Sequence, residues 1–375
     1  MTSPPFCPYP QCDNHKNPPT HRWWHRAGSH HTQCFGEIPR FQCSTCLRTF
    51  STQTFSTNYY AKKKIDLRRI EAYLASSMSV RALSRALGCS CGSVLNRVDR
   101  LSRQALAAHA ALRPRATRCE NVCIDGLVSF DRSQYFPNNI TIAITSESRY
   151  ALSFTHATLR RSGTMRPKQK QRRDTLYRGL DFESHALERS FAELLDELKR
   201  DRPPCKQRPL VVITDEKKEY ARAFAAHPLF RDRDDAHRVV HRTVSSRLPR
   251  TFLNPLFPSN YLDREIRKDQ AAHRRETTCF GRNVANGVSR MACYLGWHNY
   301  SKKYLIKAPI ADDQTHGEES GIPRREIERA RRRMFKVRAF LSLIHLDAIE
   351  TKIWMRNFPT PGNDETAYFP KYALS

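Results

Sequence analysis

Two cysteine pairs near the start of the chain, Cys7-x4-Cys12 and Cys43-x2-Cys46, constrain its folding more than any other feature. Zinc takes four thiolate or imidazole ligands in a tetrahedron, and a pair on a tight knuckle supplies two at once. Residues 1–60 lack helical periodicity and are crowded with Cys, His, Pro and aromatic side chains. A small module of that kind cannot build its own core, and a structural ion held by Cys7, Cys12, Cys43 and Cys46 would organise it. The second pair lies within Arg40-Phe41-Gln42-Cys43-Ser44-Thr45-Cys46-Leu47-Arg48-Thr49-Phe50, a basic, aromatic-flanked frame that suits the second hairpin of a zinc ribbon. Cys34, His25, His30 and His31 fall between the pairs, and one of them could replace Cys12. Cys89 and Cys91 read as packing residues. No βαβ pattern surrounds Cys43-x2-Cys46, which argues against a redox role.

The chain of 375 residues has room for two or three domains. Its 64 Lys and Arg against 37 Asp and Glu leave a net charge of +27, which fits a polyanion partner whose phosphates supply the affinity. An anionic membrane is the weaker partner, because no run of about 18 apolar residues exists and no basic amphipathic helix stands alone at a terminus. Residues 1–20 are Pro-rich and polar, without the apolar segment of a signal peptide, so a reducing cytoplasmic location is expected.

From Ile65 to Leu112 the apolar spacing turns helical. Ser79 is placed to cap a helix that Gly88 closes, and Cys91–Arg100 then reads as the recognition helix of a helix-turn-helix. Small residues at its start would let it enter a major groove, with Ser93, Asn96, Arg97 and Arg100 on the outer face. Arg103 and the Lys62, Lys63, Lys64 run are expected to touch phosphate. The alternative is a plain three-helix bundle with a solvated basic face.

Beyond Arg113-Pro114-Arg115, short β-branched runs predict strands at Asn121–Leu127, Asn139–Thr145, Tyr150–Ala157, Pro209–Thr214 and Arg238–Val244. Arg160–Arg173 reads as a basic loop. Helices are predicted over Ser184–Arg200, after Asp215 to Ala226, from Asn260 onward and over Pro323–Trp354. This element order is that of a ribonuclease H-like fold. Two of the strands carry an aspartate, Asp125 in Val122-Cys123-Ile124-Asp125-Gly126 and Asp215 in Val211-Val212-Ile213-Thr214-Asp215. A carboxylate on an apolar strand is costly to bury unless it is paired or binds metal, and open α/β sheets build sites at strand C-termini. An Asp after a strand can also simply cap the next helix. Paired with a second such acid, however, it suits two-metal phosphodiester chemistry.

The succession of zinc ribbon, helix-turn-helix and ribonuclease H-like domain resembles DDE-type transposases of bacterial insertion sequences, in particular short elements with an N-terminal zinc ribbon. Cys43-x2-Cys46 with Arg48-Thr49-Phe50 is similar to that family's finger. Thr214-Asp215-Glu216-Lys217-Lys218-Glu219-Tyr220 is similar to its T-D-x4-Y, and Arg275-Glu276-Thr277-Thr278-Cys279-Phe280-Gly281-Arg282 to its R-K-T-x-x-F-S. The resemblance covers residues 5–300. Combined with the residue pattern read above, it gives four regions: a zinc ribbon over 1–60, a helix-turn-helix domain over 61–113, a catalytic domain over 118–305 and, from the pattern alone, a basic helical extension over 306–375. It further implies Mg²⁺ or Mn²⁺ at Asp125 and Asp215, structural Zn²⁺, and element ends and target as double-stranded DNA partners. A homo-oligomer that pairs both ends and a bacterial, nucleoid-associated location follow as well. Two features depart from the pattern. The separation between Asp215 and the third acid is longer than in compact relatives, and Asn260 stands where the family has Glu. A replacement must share that helix face. At about 100° per residue, Asp263 lies within about 60° of Asn260, Glu265 about 140° away and Glu276 about 160° away. Asp263 is therefore the expected third acid, with Glu276 the alternative if the helix breaks before it. Arg267, Arg274 and Arg275, with Lys268, would bind donor phosphates. A DNA-binding regulator with an incomplete triad and a structure-specific nuclease of the same fold are the competing readings.

Overall fold

A computed structural model of the chain describes residues 3–201, 209–228, 239–274, 279–305, 313–363 and 369–375. A short helix α1 (Asp13–Lys16) precedes an antiparallel sheet of β1 (Trp24–Thr32), β2 (Gly36–Cys43) and β3 (Thr49–Ser51), in the order β1-β2-β3. Its core is small, with Trp23, Phe41 and Phe50 packed beside Cys7, Cys12 and Cys43.

Three helices follow: α2 (Leu67–Ala75), α3 (Val80–Ala86) and α4 (Cys91–Leu112). The Ser79 hydroxyl accepts from the Ala82 amide at 3.2 Å and starts α3. Gly88 takes a φ of +58°, which lets the chain leave α3 without steric cost. Ser90 then caps α4 by accepting from Ser93 N at 3.2 Å. Leu67, Ile70, Leu74, Leu83, Val94 and Val98 form the core of this bundle, completed by Cys293 and Met334 from far along the chain.

The larger sheet has five strands: β4 (Val122–Phe130), β5 (Pro137–Thr145), β6 (Ala151–Thr158), β7 (Leu210–Asp215) and β8 (Val239–Val244). Their order is β6-β5-β4-β7-β8, with β4, β5 and β6 antiparallel and β4, β7 and β8 parallel. The sheet is covered on both faces, since the consecutive residues Val122, Cys123 and Ile124 are all fully buried, as are Val212 and Ile144. The segment read as a basic loop contains a helix instead, α5 (Pro167–Leu176). Next come α6 (Ala186–Asp201), whose Phe191, Leu194 and Leu195 are fully buried, and α7 (Lys218–Ala226). α8 (Phe257–Asp269) and α9 (Val284–Tyr300) complete the layer.

The C-terminal part, α10 (His316–Glu319), α11 (Arg324–Lys336) and α12 (Ala348–Trp354), does not stand apart as a tail. Ile322, Ile327, Ile349, Ile353 and Trp354 belong to the same apolar core as β4–β8. Arg113 on the α4 side is buried against Asp347 at 2.8 Å and Glu350 at 3.3 Å, both at the start of α12. Lys336 O accepts from Thr57 N at 3.2 Å, and Arg338 N donates to Phe55 O at 2.9 Å, tying α11 to the N-terminal sheet. No helix among the described residues is long and apolar enough to cross a membrane.

Candidate functional site

Two sites emerge, one of thiols and one of carboxylates. The thiol site is held by the turns around the small sheet. The Cys43 carbonyl accepts from Leu47 N at 3.0 Å, and Leu47 adopts a φ of +57°, which folds Cys43 and Cys46 into one knuckle. On the other side Tyr9 O accepts from Cys12 N at 3.0 Å and closes the longer Cys7–Cys12 turn. The sulfurs of Cys7 and Cys46 are then 3.6 Å apart, and those of Cys12 and Cys43 3.7 Å. Ligands at Zn–S distances near 2.3 Å in a tetrahedron would be about 3.8 Å apart. The four thiols lie within 4.8 Å of one another and can hold a zinc ion; no other group of three or more His, Cys, Asp or Glu among the described residues is so compact. Burial opposes ionisation of Cys43, yet the Cys46 amide, the Asn14 side chain and the Thr45 amide outweigh it and bring the thiol down to about 6. Cys12 is thus a member of the cluster. His25 instead contacts Gln42 at 2.8 Å, and Cys89 is buried in the helical core.

The carboxylate site begins with strand register. Parallel pairing aligns Val122 with Val212 and Cys123 with Ile213, so Asp125 and Asp215 stand level on neighbouring strands. β4 continues past the end of β7, and its Val128, Ser129 and Phe130 form one wall of a cleft of about 440 Å³. Asn260, Asp263 and Arg267 of α8 form the opposing wall. They share a face because their spacing of three and four follows the helical repeat, while Leu262 and Ile266 point into the core. Asp125, Asp215 and Asp263 therefore line a single cleft. Gly126 is required beside them, since a Cβ there would lie 2.1 Å from the Asn139 side chain on β5.

The charges in this cleft are coupled. Burial raises the Asp125 carboxyl, against the pull of Lys217. Burial and then the Asp125 charge push Asp263 up to about 7. Lys217 Nζ sits 3.6 Å from Asp125 and 3.3 Å from Asp215, a cation lodged between two carboxylates that are each about one-fifth exposed, at 21%. Burial opposes its charge, but Tyr220 and the two aspartates outweigh it and hold the ammonium above its usual range. Hard divalent ions bind such clustered carboxylate oxygens, so the donor set fits one, provided Lys217 moves or shares the site. Sequence reading gave Lys217 no role, although a Lys two positions after a strand-end Asp was a visible signal. Arg250 also lines the cleft, and nothing in its local sequence marks it.

The remaining expected residues divide. Glu265 faces away from the cleft, buried against Lys302 and Lys268. Glu276 and Arg275 lie outside the described residues. Arg267 lines the cleft and donates to His273 O at 2.8 Å, while Arg274 is exposed next to it. Lys62, Lys63 and Lys64 are exposed, and Ser93 and Asn96 partly so.

Arg97, Arg100 and Arg103 require a correction, since they do not present an outer face to a groove. They are 3%, 7% and 4% exposed. Arg97 donates to Lys63 O at 2.6 Å, Arg100 to Thr57 O at 3.1 Å and Arg103 to Trp354 O at 3.1 Å. Arg103 also pairs with Asp99. Their guanidinium groups satisfy main-chain carbonyls from sequence-distant segments that fold over α4, which removes them from any DNA-reading surface.

No family model matches the sequence, and no curated protein matches it at a significant level.

Proposed function

We propose that the protein is a metal-dependent enzyme that cuts and rejoins DNA strands, a transposase of the DDE type. The observation that carries this reading is the convergence of Asp125, Asp215 and Asp263 from β4, β7 and α8 on one cleft in a chain of net charge +27. The five-stranded sheet, antiparallel on one side of β4 and parallel on the other, supports a ribonuclease H-like reading of this part. The thiol cluster supports a zinc ribbon in front of it. In this reading Asp125, Asp215 and Asp263 hold Mg²⁺ or Mn²⁺. The ions would activate the attacking water or 3′-hydroxyl and stabilise the leaving oxygen. The chain's own groups do the rest. Arg267 and Arg250 neutralise the phosphate that enters the cleft, and Lys217 keeps the two strand carboxylates together. The helical bundle would approach DNA through Ser93, Asn96 and the exposed Lys62–Lys64 rather than through the buried arginines.

One observation favours a second reading, a DNA-binding regulator without cleavage. The Lys217 ammonium already stands between Asp125 and Asp215, where a divalent ion would have to bind. Duplexes that carry the DNA flanking the reading frame, incubated with Mn²⁺, separate the two. The enzyme is expected to nick them, and Asp125→Ala, Asp215→Ala and Asp263→Ala should each abolish nicking while DNA affinity persists. Binding without any nick would leave the regulator. Equal cutting of scrambled ends would point to a structure-specific nuclease instead.

A further inference from the structure

The helix α5 is anomalous on energetic grounds. None of its side chains is buried, so packing of its own residues does not explain it. Pro167 at its first position and the Gln169 side chain, which accepts from Arg166 N at 2.9 Å, start it. Its charge works against it. Lys168 and Lys170 lie in the first turn, where the helix dipole disfavours cations, and Lys168 faces Arg172 one turn on. Arg160, Arg166, Lys168, Lys170, Arg172 and Arg178 are all exposed, and none forms a salt bridge among the described residues. The one acid within this stretch, Asp174, is occupied by Arg173 at 2.8 Å.

The segment is nevertheless fastened. Met165 and Tyr177 flank α5 and are buried. The Tyr177 hydroxyl accepts from Arg161 N at 2.8 Å and donates to Tyr135 O. Its ring lies 5.6 Å from Phe136 and 4.6 Å from Phe182. Tyr135 and Phe136 belong to the turn between β4 and β5, which continues directly from the β4 residues that wall the carboxylate cleft. The basic helix is thus anchored at the tip of the hairpin whose first strand carries Asp125.

We propose that α5 and its flanks form a second duplex-DNA surface, separate from the helical bundle, that grips the phosphate backbone without reading sequence. This rests on the nucleic-acid reading above and extends it. Lys168 and Arg172 share one face of the helix and Lys170 lies on the other, so the two faces can meet phosphates of opposite strands, whose contacts release counterions. The helix lacks the apolar face that an interfacial membrane helix buries in lipid, which favours DNA over an anionic bilayer.

The test compares the full chain with a Lys168→Gln/Lys170→Gln/Arg172→Gln variant. An Arg325→Gln/Arg329→Gln/Arg332→Gln variant on α11 removes the same charge elsewhere. Binding to a fluorescent duplex of unrelated sequence is measured by anisotropy over a range of NaCl concentrations. The α5 variant should lose about 2 from the slope of log affinity against log salt, at about 0.9 for each phosphate contact of the shared Lys168 and Arg172 face. The α11 variant should keep the slope of the parent, and so should the charge-conserving Lys168→Arg/Lys170→Arg. An unchanged slope in the α5 variant overturns the proposal, and so does an equal loss in both triple variants, which would mean that net charge alone matters. Preferential loss of binding to phosphatidylserine vesicles would assign the helix to membranes and overturn it too. If the parent chain binds neither the unrelated nor the flanking duplex, the DNA reading of the whole protein fails. If the parent binds and only the α5 changes are silent, this inference alone fails.

Discussion

Asp263 faces Asp125 across the cleft from the opposing wall of α8, and its charge is costly first because burial strips it of water and then because Asp125 repels it. Its folded pKa of about 7 lies above the ordinary carboxylate value near 3.9. The folded state therefore binds more protons than the unfolded chain between those limits, and stability falls as pH rises from about 4 through about 7. Asp263→Asn carries no charge at any pH. Without divalent ions it should melt with the parent near pH 4 and above it by a few degrees at pH 8, at about 2–4 °C per kcal/mol. Mn²⁺ should stabilise the parent more than the variant. Thermal melts at several pH values measure both effects, and a gap independent of pH would sink the electrostatic account. The place of Asp263 in the cleft was legible because helical spacing, counted from the Asn260 that the resemblance marks, separates it from Glu265. The same spacing failed for Arg97, Arg100 and Arg103. Arginines default to the surface, and the carbonyls that bury them, such as Trp354 O, come from segments whose return no local pattern announces.

At the scale of elements, the β1-β2-β3 sheet depends on its sulfurs more than on its apolar side chains. Trp23, Phe41 and Phe50 are a thin core for a module of this size, and below about 70–80 residues a single apolar core rarely suffices without a metal or disulfides. The purified chain is expected to carry one zinc by atomic emission. Cys43→Ser should lose it, and chelation of the parent should expose residues 5–50 to protease while the five-stranded sheet stays protected. Retained protection after complete zinc removal would show that the aromatic core suffices. The strands of the larger sheet were readable because buried strands need β-branched runs, and those runs survive in any context. The α5 helix was not readable, since periodicity reports a buried face and this helix has none. Its start signals, Pro167 and Gln169, were present but carried no weight inside a basic stretch.

At the scale of the whole molecule, α4 belongs to two cores at once. Its Val94, Val98 and Leu101 pack with α2 and α3, while Leu106 and Leu112 join the core of the large sheet. The bundle in turn borrows Cys293 from α9 and Met334 from α11. The buried Arg113 pairs with Asp347 and Glu350, so cutting the chain after α4 would strand its charge away from them. An isolated fragment would also open to water the apolar surface that Cys293 and Met334 cover. Residues 61–113, which sequence alone reads as a self-contained DNA-binding domain, should therefore fail to fold in isolation. Circular dichroism should show partial helicity without a cooperative melt, and amide resonances should be poorly dispersed. A cooperative transition in that fragment would mean that the α9 and α11 contacts are dispensable. The same dependence predicts that Trp354→Ala, buried 251 residues from the Arg103 that donates to its carbonyl, lowers the stability of bundle and sheet together, by about 3–5 kcal/mol. A single cooperative loss, monitored through amide protection in α2–α4 and in β4–β8, is the outcome that one shared framework requires. Two separate transitions would return the bundle and the sheet to independent domains.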